Sequence, residues 1–141
     1  MVEWLKSNDI TALIVGYNEG WKQDINLGKK TNQKFTYIPY RMLLDQLKYK
    51  CEDAGITFVA NEESYTSKCS FLDMEGIHKH EEYVGKRVKR GLFKSGNGTL
   101  INADLNGSLN IGRKVVGDDT FASYPIEGFA VSPLKYTVGF N

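Results

Sequence analysis

Cysteine is scarce in this chain: only Cys51 and Cys69 occur. Two thiols cannot build a disulfide framework, nor fill a tetrahedral zinc site by themselves. A reducing cytoplasm is the expected compartment. Long apolar runs are missing too. The longest, Ala12-Leu13-Ile14-Val15, falls far short of the ~20 residues that span a bilayer. The amino-terminal stretch shows no basic start, apolar core and small-residue cleavage site, so no signal peptide is expected. A surplus of either charge is also lacking. Eighteen basic residues face 17 acidic ones, for a net charge of +1. Bulk charge therefore does not announce a polyanion binder, and any such function must rest on local patches. With 141 residues, 41% of them hydrophobic and 25% charged, the composition suits about one soluble globular domain and excludes disorder throughout.

What is present divides by periodicity. Glu3–Ser7 reads as the last turns of a helix. Leu13–Asn18 is a short, β-branched apolar run closed by Gly16 and Asn18, the pattern of a buried strand. Gly20–Thr36 mixes Gly, Asn, Lys and Gln around Trp21 and predicts a long loop; such loops are often functional. Pro39 suits the first turn of a helix. Behind it, Leu44, Leu47, Cys51 and Ala54 fall on one apolar stripe, and Gly55 is a stop signal. Ile56–Ala60 predicts a second strand. Strand, helix, strand in this order predicts parallel pairing.

The pattern changes between Cys69 and Gly98. Asn97-Gly98 predicts a hairpin turn flanked by Arg87–Phe93 and Thr99–Asn102, within a small β insertion. From Asp104 to Val116 the spacing predicts a helix with Leu105, Leu109, Gly112 and Val116 on one face, ended by Gly117. The remainder reads as a weakly structured tail.

Three features carry chemistry. Glu62 and Glu63 follow the second strand, where open α/β sheets place their sites. Asp104 stands at the start of the last helix. Carboxylates gathered by a fold commonly bind Mg²⁺ or Mn²⁺. The plainer readings are a solvated turn for the glutamates and a helix cap for Asp104. The third feature is the basic set Lys86, Arg87, Lys89, Arg90 and Lys94, whose plain reading is a solvated face.

Glu63-Ser64-Tyr65-Thr66-Ser67-Lys68-Cys69-Ser70, followed by Asn102-Ala103-Asp104-Leu105-Asn106-Gly107-Ser108-Leu109-Asn110-Ile111, resembles the carboxyl-terminal half of TnpB (OrfB) proteins. These are RNA-guided nucleases encoded by bacterial insertion sequences and related to type V CRISPR effectors. Ile14–Gln23 looks like one branch of that family, and the tail Pro125–Pro133 also resembles it. The resemblance implies an α/β, partial RNase H-like (RuvC) fold. It would have two parallel strands, two helices and a small β insertion replacing a zinc ribbon. The implied parts are a βαβ segment over 1–68, the insertion over 69–101, the last helix over 102–116 and a flexible tail over 117–141.

The family's catalytic acids are an Asp on the first strand, a Glu and a later Asp. The later Asp matches Asp104. Most members carry the Glu at the end of the strand matching Leu13–Val15, where this chain has Gly16 and Tyr17. Some branches carry it just before the Tyr-Thr-Ser motif, which here is Glu63, with Glu62 as the near alternative. The implied cofactor is Mg²⁺ or Mn²⁺, held by Glu63 and Asp104 with the missing Asp. No structural zinc is expected: Cys69 remains, but Leu72, Gly91 and Lys94 stand at the other ribbon positions.

The implied partners are DNA, a guide RNA and an amino-terminal half of the same nuclease. Lys68, Lys86, Arg87, Lys89, Arg90 and Lys94 are the candidates for nucleic-acid contact. Tyr83 and Phe93 are candidates for base stacking, with core packing favoured for Phe93. The segment carrying the first catalytic Asp has no match here, so the chain is expected to be an inactive fragment on its own. The alternative is a non-catalytic nucleic-acid-binding remnant or a split-nuclease subunit.

Overall fold

The computed structural model describes residues 1–18 and 40–122. The expected loop Gly20–Thr36, Pro39 and the tail beyond residue 122 lie outside the described residues. The chain divides into two compact units, Met1–Glu63 and Ser64–Asn141.

The first unit holds α1 (Val2–Ser7), β1 (Ala12–Tyr17), α2 (Tyr40–Asp53) and β2 (Thr57–Glu62). β1 and β2 pair in parallel, from Ala12 opposite Thr57 to Tyr17 opposite Glu62. β2 runs past the expected Ala60 because β1 still offers partners there. The stripe of α2 behaves as its spacing requires: Cys51 is fully buried and Leu44, Leu47 and Ala54 are half-buried. Cys51 joins Leu5 and Ile56 in a small core closed by Val2, Leu13, Ala54 and Phe58. Burying one such aliphatic side chain as fully as Ile56 is worth ~1.5–3 kcal/mol. Gly55 ends α2 with φ +73°, a left-handed conformation that favours glycine. The chain then turns back, and the Ile56 N–H donates to Cys51 O at 2.8 Å.

The second unit holds β3 (Lys86–Lys89), β4 (Leu92–Lys94), β5 (Leu100–Asn102), α3 (Ala103–Val116) and α4 (Asp118–Ala122). The three strands form an antiparallel meander in the order β3-β4-β5. Asn97-Gly98 makes the β4–β5 turn: Asn97 Oδ1 accepts from Ser95 Oγ at 2.6 Å and from the Thr99 N–H at 2.9 Å. The arm Arg87–Phe93 is not the single strand expected. It folds back on itself at Arg90-Gly91, and Val88 bulges between Arg87 and Lys89. Gly91, at φ +75°, makes that second turn possible.

The tail is not wholly weak in structure either, since Asp118–Ala122 forms a helical turn. Phe121 stands edge-on against Phe71 with centroids 5.5 Å apart. No helix among the described residues is long and apolar enough to cross a membrane.

The face of α3 corrects the expectation most clearly. Phe93, Ile101 and Ala103 form a small core with half-buried Leu72, Leu105 and Leu109, but Val116 is exposed. The deepest positions of α3 are polar. Asn106 and Asn110 are fully buried and Arg113 is 3% exposed. Each serves the turn Thr66–Glu75, whose backbone has no ladder to satisfy it. Asn106 Oδ1 accepts from the Phe71 N–H at 2.9 Å, and its Nδ2 donates to Cys69 O at 2.9 Å. Asn110 Nδ2 donates to Thr66 O at 2.9 Å and to Cys69 O at 2.8 Å. Arg113 Nη1 donates to Glu75 O at 3.1 Å and to Asn110 Oδ1 at 3.0 Å.

Arg113 Nε also donates to Asp118 Oδ1 at 2.8 Å. That hydrogen bond lowers the Asp118 pKa, burial opposes it, and the guanidinium charge adds to the lowering. A lowered folded-state pKa adds stability that is complete above the unfolded value and lost as pH falls through the folded one. Asp118→Asn is therefore expected to lower the denaturation midpoint near neutral pH. The difference from wild type should vanish well below the ordinary carboxylate range. A difference that persists in acid would exclude the ion pair as its cause.

Candidate functional site

β2 ends at Glu62, opposite Tyr17, and the Glu63 N–H donates to Tyr17 O at 3.1 Å. Both glutamates are half-buried. They sit at the carboxyl end of a parallel strand pair, beside the Gly16-Tyr17 positions where most TnpB members are expected to carry their Glu. Alternation puts Glu62 on the face of Phe58, while Glu63 lies past the strand. Tyr40, the first residue of α2, donates its OH to Gly16 O at 2.9 Å. Burial, and then the Glu63 charge, push the Tyr40 phenol up, so it stays a protonated donor. Asn61 Nδ2 is buried and has no acceptor among the described residues.

Asp104 is the second residue of α3, and the plain reading of it as the helix cap is overturned. Asn102 caps the helix: its Oδ1 accepts from the Asp104 N–H at 2.9 Å and the Leu105 N–H at 3.1 Å. The Asp104 carboxylate is left to solvent, 88% exposed, with Arg87 Nη2 at 3.9 Å. An acid in the first turn still gains from the helix dipole.

The basic residues occupy one strand and its neighbours. Lys86, Arg87 and Lys89 lie on β3, Arg90 in the next turn and Lys94 on β4, all exposed. Lys86 stands directly opposite Lys94. Like charges facing each other across a strand pair repel, so a polyanion lying along β3 would relieve a cost already present in the fold. Lys68 is exposed in the preceding turn, with its Nζ 6.0 Å above the Tyr83 ring. Phe93 is 1% exposed and belongs to the core, not to a stacking surface.

The turn expected to carry half of a ribbon is fastened by carboxylates. Asp73 Oδ2 accepts from Ser70 Oγ at 2.5 Å and from the Gly96 N–H at 2.7 Å. Glu75 accepts from the Ser70 N–H at 2.6 Å and the Val84 N–H at 2.9 Å. Gly91 lies in the β3–β4 turn and Lys94 on β4, whereas the bond joining the Cys69 turn to the sheet reaches Gly96 in the β4–β5 turn. The Cys69 thiol is fully buried and donates weakly to Gly76 O and His78 O at 3.4 and 3.7 Å. Burial, and then the charge of Glu75, push it up despite opposing effects of the His78 backbone, Arg113 and Lys114. It is a protonated donor, not a reactive thiolate.

Among the described residues no three His, Cys, Asp or Glu side chains gather closely enough to hold a metal ion. Glu63 belongs to the first unit and Asp104 to the second, and Asp104 faces a guanidinium. Mg²⁺ needs six well-placed oxygen ligands, and these donors by themselves do not fit it.

A family model described as the Cas12f1-like TNB domain matches residues 40–111, just over half of the chain. The chain belongs to that family. The matched stretch of this Cas12f1-like protein runs from the first residue of α2 into α3. It contains Glu63, Asp104, Lys68, Lys86, Arg87, Lys89, Arg90 and Lys94. The chain is also similar to the TnpB-like protein ORF457 of Acidianus two-tailed virus. The two are 32% identical over 80 residues, which is 56% of this chain and 16% of that protein. The chain thus spans a small part of that relative's length, and the assignment is to TnpB-type proteins as a group. No solved structure matches the chain.

Sequence reasoning missed the polar seam of α3 and, separately, the carboxylates Asp73 and Glu75 that fasten the Cys69 turn. The signal was present: Asn106, Asn110 and Arg113 recur at helical spacing, on a stripe that apolar residues usually hold.

Proposed function

We propose that this chain is the carboxyl-terminal part of a transposon-associated, RNA-guided DNA endonuclease of TnpB type, and that it does not cut DNA alone. Its β1–β2 pair belongs to an RNase H-like (RuvC) sheet completed by further strands. Glu63 and Asp104 are two of the acids of the reacting centre, and an Asp from outside this chain is the third. Completed by that third acid, Glu63 and Asp104 would hold Mg²⁺ or Mn²⁺, which would supply Lewis acidity toward a phosphodiester. The observation that carries this reading is the β1–β2 register. It sets Glu63 against the end of β1, so a carboxylate missing from one strand is replaced from its neighbour. Strand neighbours lie only ~4.8 Å apart, a gap that one side chain spans.

The guide RNA selects the target by base pairing and the protein holds the strands by charge. Lys68, Lys86, Arg87, Lys89, Arg90 and Lys94 provide that charge.

A second reading is a nucleic-acid-binding protein without catalysis, as a remnant or a split-nuclease subunit. The contact of Arg87 with Asp104 favours it, because a guanidinium there competes with a metal ion for that carboxylate. The two readings separate when the chain is completed with a segment carrying a strand-borne Asp. Magnesium-dependent cleavage lost in Asp104→Asn supports the nuclease. Binding without cleavage supports the second reading.

A further inference from the structure

We propose that His78, His80 and Tyr83 form a stacking platform for an unpaired base of a single-stranded nucleic acid, with Lys68 and Lys79 beside it for the flanking phosphates. The proposal rests on the reading that this chain acts on nucleic acid. The His78 and His80 imidazoles stack with centroids 4.0 Å apart and planes 29° from parallel. Tyr83 continues the row edge-on to His80 at 5.3 Å. None of the three rings belongs to either hydrophobic core.

Hydrogen bonds hold the row in place. His80 Nε2 lies 2.7 Å from Gly76 O, which only accepts, so the ring donates there. The same nitrogen is 4.0 Å from Glu75 Oε1, a carboxylate 3% exposed and itself bonded to two backbone N–H groups. His78 Nδ1 is fixed against Lys79 O at 3.1 Å. His78, at the end of the row, is exposed. Its position depends on Gly76, since a Cβ there would stand 2.9 Å from its Nε2.

A preorganised aromatic face beside cations is the combination that binds single strands without sequence choice. Duplex bases are stacked on each other and offer it nothing. Lys68 already lies over Tyr83, and Lys79 is exposed between the two histidines.

The test uses the 141-residue chain and fluorescence anisotropy. The probes are a labelled single-stranded DNA, the same sequence as RNA, the DNA with abasic sites, and its duplex. Tyr83→Ala removes a ring. Gly76→Ala displaces His78 without changing ring count or charge, and circular dichroism checks that both variants fold. Each variant is expected to weaken binding of the base-bearing strand about five- to tenfold, with binding to the abasic strand and the duplex unchanged. A loss on DNA, RNA or both supports the platform and names the strand it takes. An equal loss on the abasic strand, or none on the base-bearing one, overturns it. If Lys86→Glu with Arg87→Glu abolishes binding while Tyr83→Ala and Gly76→Ala do not, the platform fails and the nucleic-acid reading stands. If the wild-type chain binds none of the probes, both fail.

Discussion

Asn110→Asp is expected to unfold most of the second unit. The Asn110 amide is fully buried and donates to Thr66 O and Cys69 O at 2.9 and 2.8 Å. An ionised carboxylate cannot donate, so both carbonyls lose a donor and face a negative charge instead. A carboxylate buried there costs several kcal/mol in lost solvation, a large share of a typical total of ~5–15 kcal/mol. The new pairing with Arg113 returns part of this at most, because Arg113 Nη1 already bonds to Asn110 Oδ1 at 3.0 Å. Asn110→Ala should lose less, as it adds no charge. Cys69 O accepts from Asn106 as well, so the alanine variants of the two asparagines should couple rather than add. Urea denaturation followed by circular dichroism, with amide exchange over residues 66–117, measures the loss. A midpoint unchanged from wild type would show that the seam does not hold the unit together.

Glu63→Gln is expected to cut cleavage by the completed nuclease roughly a hundredfold or more, the usual cost of losing a group that stabilises developing charge. Gln keeps the shape of Glu and its capacity to accept hydrogen bonds, so the backbone bond to Tyr17 O should survive. Glu62→Gln should leave most activity. Glu62 is the last residue of β2 and lies on the Phe58 face of the pair, whereas Glu63 stands past the strand at the end of β1. Single-turnover cleavage by both variants, at matched nucleic-acid affinity, separates the two. Activity that survives Glu63→Gln and disappears in Glu62→Gln assigns the role to Glu62.

The first unit was legible because its signals are local. The stripe Leu44, Leu47, Cys51 and Ala54, the stop at Gly55 and the apolar run Leu13–Val15 each state their own element, and the order of elements gives parallel pairing. The second unit was less so. Its Asn-Gly turn carries a strong local signal, whereas the fold-back at Arg90-Gly91 rests on a lone glycine, whose positive φ only the fold shows. The burial of α3 was misjudged at its edges for a different reason. Leu105 and Leu109 pack as expected, yet the deepest stripe serves backbone groups of a turn far away in sequence, and its one trace is the helical spacing of the polar Asn106, Asn110 and Arg113. The acids stood out in the sequence as residues. The capping of α3 by Asn102 and the approach of Arg87 to Asp104 are tertiary facts that no spacing announces.

The measurement that bears most directly on the account is magnesium-dependent DNA cleavage by this chain completed with the segment that carries the remaining Asp, wild type against Asp104→Asn. Asp104 is 88% exposed and does not cap its helix, so the variant should fold and bind nucleic acid as the wild type does. The account predicts cleavage by the wild type and its loss in Asp104→Asn. Equal cleavage by the two would contradict it.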